Sequence, residues 1–189
     1  MHSLLHEINE GSSRISEIVV ALKNYSFLGQ APVQQVDIHE GINNTLVILR
    51  SKLKMGIRVQ CEYAADLPKI VAYGSELNQV WTNILDNAID ALKGEGQITI
   101  RTKRENSGIA VEIEDNGPGI PTEIQSRIFD PFFTTKQPGK GTGLGLSTSY
   151  GIVTEKHGGQ LLVESRPGCT KFIIKLPINL ASEKHISPN

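Results

Sequence analysis

The chain has 189 residues and sets 19 lysines and arginines against 20 aspartates and glutamates, a formal charge of −1. That balance excludes the general positive field of a nucleic-acid binder, so any anion must be held locally. Cys61 and Cys169 are the only cysteines, too few for a disulfide framework or a paired metal spacing. No run of about 18 apolar residues and no basic, apolar leader is present, so a cytoplasmic setting without membrane or nucleic-acid contact by this segment is expected.

Residues 4–28 carry Ile8, Ile15 and Leu22 seven apart, with Leu5, Ile18, Val19 and Tyr25 beside them. This predicts an amphipathic helix within an N-terminal unit, 1–30, whose stripe needs either a partner helix or its own domain to cover it. Residues 29–35 read as a hinge. Residues 36–38 suit a short strand, and Asp37 is placed to cap a helix carrying Ile42, Leu46 and Leu49. Residues 57–63 alternate as a strand, and residues 70–72 form a short extended piece after the turn at Pro68.

Ser75 reads as the N-cap of a helix running to Leu92, with Leu77, Val80, Trp81, Ile84, Leu85, Ala88, Ile89 and Leu92 at helical spacing and Gly94 and Gly96 ending it. Residues 97–104 and 108–114 read as a hairpin, Pro121 opens a short helix through Ile128, and residues 129–142 are a long loop. A helix over 144–156, closed by His157, Gly158 and Gly159, precedes a last hairpin of 160–165 with 170–176. The core unit is placed at 36–177, and the 178–189 tail is expected to be disordered. These elements predict an α+β fold, a two-layer α/β sandwich with a mixed, mostly antiparallel sheet, helices on one face and an additional N-terminal helix.

Three stretches carry the chemistry: NILDNAID from Asn83 to Asp90, DNGPGI from Asp115 to Ile120, and GKGTGLGL from Gly139 to Leu146. The third is neither a dinucleotide fingerprint, since Gly141, Gly143 and Gly145 give GxGxG, nor a P-loop, since Gly141 follows Lys140 where Ser or Thr is needed. It remains a loop whose backbone N–H groups can approach phosphate, or a glycine-rich turn without a ligand. Asp115 follows a strand and offers an acceptor-only carboxylate to an exocyclic amino group, or caps its own turn. Asn83, Asn87 and Asp90 share one helical face; Asn87 offers a hard neutral oxygen to magnesium, or all three are a solvated face.

In this order, with FDPFFTTK at 129–136, the boxes resemble the catalytic, ATP-binding domain of sensor histidine kinases, within the superfamily that includes gyrase, Hsp90 and MutL. The resemblance covers about 36–177, and FDPFF favours the kinases. It implies a Bergerat fold binding ATP with Mg²⁺, in which Asp115 holds adenine, Asn87 coordinates the metal, and Gly117, Gly119 and Ile120 shape the base pocket. It counts Asp90, Gly141, Thr142, Gly143, Leu144, Gly145 and Leu146 among the nucleotide-binding residues, with Thr135, Lys136 and Lys140 as candidate phosphate contacts and residues 132–143 as a mobile lid over the phosphates. Thr170 matches a threonine supporting the adenine-binding carboxylate, although Cys169 replaces a frequent Gly before it.

Asn83 stands where gyrase-like relatives have a glutamate that activates water, and an amide cannot accept that proton, so net hydrolysis should be slow. Asn83 and Lys136 are the catalytic candidates. The resemblance further implies transfer of the γ-phosphoryl group to a histidine on a dimerisation hairpin, a homodimer in the full-length protein, and relay to the receiver domain of a response regulator. His6 is an unfavourable acceptor: Glu10-Gly11 stands where Asn-Pro is expected, and residues 4–28 match the second hairpin helix better, which places the acceptor upstream. The alternative is an ATP-binding conformational or interaction module that transfers nothing.

Overall fold

A computed structural model describes residues 33–53, 56–137 and 141–180. The predicted N-terminal helix, His6, Lys140 and the tail from 181 lie outside the described residues. Among the described residues no helix is long and apolar enough to cross a membrane.

The first strand, β1, is Gln34–Val36 and helix α1 is Ile38–Ile48. Asp37 separates them, its Oδ1 accepting from Glu40 N at 3.2 Å. The expected strand at 36–38 therefore lies two residues too late: Val36 and Ile38 are both buried, but one points in from a strand and the other from a helix. A short helix α2, Arg50–Leu53, leads to β2, Ile57–Glu62, and β3, Ile70–Ala72, pairs antiparallel with β1.

Helix α3, Gly74–Leu92, is the central element and buries every apolar position that its period assigned to the core. Ser75 is not its N-cap. The helix opens on Tyr73, whose carbonyl accepts from Glu76 N and Leu77 N at 3.1 Å while its N–H donates to His157 Nε2 at 3.1 Å. A distant imidazole thus fixes the helix start where a local serine was expected. At the other end Lys93 takes the left-handed conformation at φ 52°, and the expected Gly94 follows at φ 101°.

Strands β4, Gly96–Arg104, and β5, Gly108–Asp115, form the expected hairpin. Helix α4 is only Thr122–Gln125; beyond it three-residue turns such as Arg127 N to Ile124 O replace the predicted helix to Ile128. Helix α5, Gly145–Gly151, widens over Ile152–Lys156 into a π-type turn. With Nε2 accepting from Tyr73, the Nδ1–H of His157 donates to Ile152 O at 2.7 Å. Strands β6, Gln160–Arg166, and β7, Cys169–Pro177, close the fold.

The sheet order is β2-β4-β5-β7-β6, antiparallel except for the parallel β2 and β4 pair. Helices α1, α3 and α5 cover one face over a single core containing Trp81, Ile84, Ile98, Val111, Phe172 and Ile174. The other face carries cross-strand ion pairs, Arg101 with Glu62 and Glu114, Lys103 with Glu112, and Lys171 with Glu164, which keep it compatible with water. Ile178 packs on the core, and its carbonyl accepts from Val71 N at 2.8 Å, so ordered chain continues past the expected boundary at Pro177.

Candidate functional site

Strand alternation builds one end of the site. Ile109, Val111 and Ile113 of β5 and Phe172, Ile174 and Leu176 of β7 face the core. One further step of the same period brings Asp115 and Thr170 to the inner face at the sheet end, where they are register partners. Ser165 of β6 is in turn the partner of Thr170. Asp115 and Thr170, with Ser165 behind them bonded to Thr170, floor a cleft of about 840 Å³ between the sheet and α3, a size that suits a nucleotide-sized ligand.

Asp115 is 4% exposed. Its Oδ1 accepts from Gly117 N at 2.9 Å. Burial pushes its carboxyl above the ordinary aspartate range, helped by the charge of Glu114 and opposed by the Gly117 hydrogen bond. Thr170 Oγ1 lies 3.0 Å from Ser165 Oγ, so its hydroxyl is engaged by Ser165 and the relation of Thr170 to Asp115 runs through the strand register.

The DNGPGI loop is tied to the same row. Ile120 N donates to Ser165 Oγ at 2.8 Å, and Gln125 Nε2 donates to Ile120 O at 2.8 Å and to Ser165 O at 3.1 Å. Gly119 adopts φ 84°, and a Cβ there would stand 2.3 Å from Arg166 O, so the approach of this loop to β6 admits no side chain.

The opposite end is assembled by α3 and the long loop. Asn83 donates its amide N–H to Gly145 O at 3.0 Å and to Ser149 Oγ at 3.1 Å, clamping the start of α5 against α3. Lys136 Nζ donates to Asn87 Oδ1 at 3.1 Å and pairs with Asp90 Oδ2. The loop closes at its base where Phe132 N donates to Gly143 O at 2.9 Å, with Phe132 and Gly143 both left-handed, at φ 66° and 67°. Within FDPFF, Phe129 packs against Tyr150 and Phe133 lines the cleft beneath the Arg127 guanidinium, but Phe132 is 74% exposed.

The fold brings nearly all the sequence-predicted residues to this cleft. Asn83, Asn87 and Asp90 from α3, Asp115, Gly119 and Ile120 from the base end, and Thr170 from β7 line it. Thr135, Lys136, Gly141, Thr142, Gly143, Gly145 and Leu146 line it from the loop and α5. Gly117 sits behind Asp115 and supplies its N–H instead of lining the cleft. Leu144 points away and is 38% exposed, its carbonyl accepting from Thr148 N.

Ser165 and Gln125 were missed. Continued alternation in β6 puts Ser165 on the inner face, a signal present in the sequence but readable only once the β6 and β7 register is known. Gln125 had no such signal. Asp86, also at the cleft, is held by Lys52 of α2.

The donor set fits a nucleotide with magnesium. A buried carboxylate faces the cleft at one end, and a neutral amide oxygen, Asn87 Oδ1, with an acid and a lysine stands at the other. Among the described residues no cluster of three or more His, Cys, Asp or Glu could hold a metal ion by itself. A cation here would accordingly depend on phosphate oxygens beside Asn87, which is how magnesium is usually bound with nucleotides.

Residues 73–180 match the family described as histidine kinase-, DNA gyrase B-, and HSP90-like ATPase. The chain is 37% identical to the signal transduction histidine-protein kinase AtoS of Escherichia coli (strain K12), over 87% of this chain and 27% of that protein. The catalytic domain of histidine kinase ThkA superposes with a TM-score of 0.72 at 34% identity, covering 79% of this chain and 97% of that one. ThkA in complex with the response regulator protein TrrA superposes with a TM-score of 0.68 at 28% identity, over 96% of this chain and 52% of that one. The chain spans between 20% and 51% of the length of the first curated relatives it matches.

Proposed function

This chain belongs to the family of histidine kinase-, DNA gyrase B- and HSP90-like ATPases and has the fold of histidine kinase catalytic domains, and from that premise we propose that it is the ATP-binding catalytic core of a two-component sensor kinase. In this reading it binds Mg-ATP and passes the γ-phosphoryl group to a histidine on a dimerisation hairpin, from which a response regulator takes it. The observation that carries the reading is the buried Asp115 carboxylate at one end of a cleft whose other end presents Asn87 Oδ1 and Lys136 Nζ.

Asp115, with its geometry fixed by Gly117 N–H, accepts from the adenine amino group. Gly119 and Ile120 wall the base pocket, and Thr135, Lys136 and the 141–146 segment face the phosphates, with Lys140 as a further contact. Bound magnesium supplies charge neutralisation at the transferring phosphoryl group, with Asn87 as its protein ligand. What the chain supplies is in-line positioning and basic charge, since phosphoryl transfer needs little covalent help.

Asn83 cannot act as a general base: its amide has no accessible proton-accepting state at neutral pH, and its N–H groups are committed to Gly145 and Ser149. Futile hydrolysis is therefore slow. We assign nucleotide binding to residues 36–177 and the second helix of the hairpin to residues 1–30, with the acceptor histidine upstream, a homodimeric parent protein and a cytoplasmic setting. The response regulator bound to ThkA supports the choice of partner.

The test incubates the chain with ATP labelled at the γ-phosphate, alone and with a supplied acceptor hairpin. Label that is stable to base and lost in acid is expected on the hairpin and absent with Asn87→Ala. Binding without transfer would favour a nucleotide-dependent interaction module. Label on the chain alone that vanishes with His6→Ala would restore His6 as acceptor.

A further inference from the structure

Lys136 is held by the groups that a metal would use. Asn87 and Asp90 lie three residues apart on one face of α3, and the ammonium bridges Asn87 Oδ1 and Asp90 Oδ2. The neighbouring carboxylate, Asp86, is engaged by Lys52 of α2. Two acids on this side of α3 are thus bonded differently, Asp86 by the scaffold and Asp90 by the loop, although Lys52 also lies within the field of Asp90.

The Lys136 and Asp90 side chains remain 32% and 42% exposed. A pair so open to water is weak and easily exchanged. An ammonium and a divalent cation seek the same oxygens, and their mutual repulsion disfavours sharing them at contact distance.

We propose that Lys136 and the divalent cation of a bound nucleotide compete for Asn87 Oδ1 and Asp90 Oδ2, so that Asp90 makes nucleotide binding depend on metal. The inference rests on the Mg-ATP reading above and extends it to the determinant of metal dependence. Nucleotide carrying the metal replaces the ammonium and leaves Lys136 free to face phosphate. Nucleotide without metal draws Lys136 away at the cost of exposing Asp90 to the phosphate charge, and so binds poorly. Asp90 is then a specificity-determining residue.

Two measurements on the full chain test this, with Asp90→Asn compared against Asp86→Asn, which removes the same charge from the same helix without touching the Lys136 contact. Folding of both variants is checked by circular dichroism. Without nucleotide, trypsin cleavage after Lys136, followed by mass spectrometry, is expected to be about two- to fivefold faster in Asp90→Asn and unchanged in Asp86→Asn.

Calorimetric affinity for ATP is then taken with magnesium and with chelator. The ratio of the two affinities is expected to narrow at least about threefold in Asp90→Asn, mainly because metal-free ATP binds more tightly once the repelling charge is gone. An unchanged ratio in Asp90→Asn, or equal narrowing in Asp86→Asn, would overturn the competition while leaving Mg-ATP binding in place. No binding of ATP by the wild-type chain under either condition would overturn the Mg-ATP reading and with it the competition.

Discussion

At the Asp115 end of the cleft, polar groups are placed by strand register, whereas at the Lys136 end they meet through side chains from a loop and one helix face. Asp115, Thr170 and Ser165 sit in one row across β5, β7 and β6, and the loop beside them is sealed by Ser165 and Gln125. Lys136, Asn87 and Asp90 touch across 46 or more residues of sequence through half-exposed side chains. On the function proposed above, a base-holding group gains from being fixed before the ligand arrives, since its position is the same for every bound nucleotide. A phosphate-facing group must exchange partners, and weak, solvated contacts permit that.

The sharpest way to break this contrast is Gly119→Ala. Its left-handed φ of 84° and the 2.3 Å approach to Arg166 O predict a loss of about 2–5 kcal/mol of folding stability from strain and overlap together. Denaturant unfolding measures it, and a loss under 1 kcal/mol would mean that the loop is not locked to β6.

Asp115→Asn comes next. Replacing the carboxylate acceptor by an amide is expected to weaken ATP binding by about 1.5–3 kcal/mol, read by calorimetry, with folding retained. Because burial raises the carboxyl above its ordinary 3.8, wild-type affinity should also fall on acidification from a higher pH than an exposed aspartate would give. Asp115→Asn should lack that part of the profile.

Asn83→Ala removes the two bonds to Gly145 and Ser149 and should cost about 1–2 kcal/mol locally. Hydrogen exchange should rise across α5 more than in the sheet. Equal rises in β5 and β7 would show that the two ends are not separable.

The smallest effect is that of pH on His157. This ring is 2% exposed, and burial lowers its pKa below 6.5, with Lys156 acting in the same direction and the Ile152 bond and Glu76 against it. The unfolded chain therefore binds the proton more readily, so the contribution of His157 to stability is complete above pH 6.5 and is lost as pH falls below it. Thermal unfolding between pH 7.5 and 5.5 should show that loss, and His157→Gln should flatten it. A steeper fall in the variant would assign the pH dependence to other groups.

Much of this was legible in the chain. The 3.6-residue period of α3 fixed its inner face, because a stripe of Leu77, Val80, Trp81, Ile84, Leu85 and Ala88 has only one way to leave water. Alternation located β4 and β5, and ordered boxes located the cleft. Misplacements arose where distant groups decide local structure: His157 sets the start of α3 in place of Ser75, and pairing with Ile70 draws the first strand back to Val36. Helix α4 stops early because three-residue turns serve the chain before Phe129.

By itself the sequence determined which residues are apolar on which period and which polar groups stand in ordered motifs, since periodicity and turn chemistry are local properties. Tertiary structure alone decided that Ser165 joins Asp115 and Thr170, that Asn83 spends its amide on α5, and that Lys136 rests on Asn87 and Asp90. Those contacts join residues far apart in the chain, and only the packing of sheet against helix determines which of the many possible polar partners come within bonding distance.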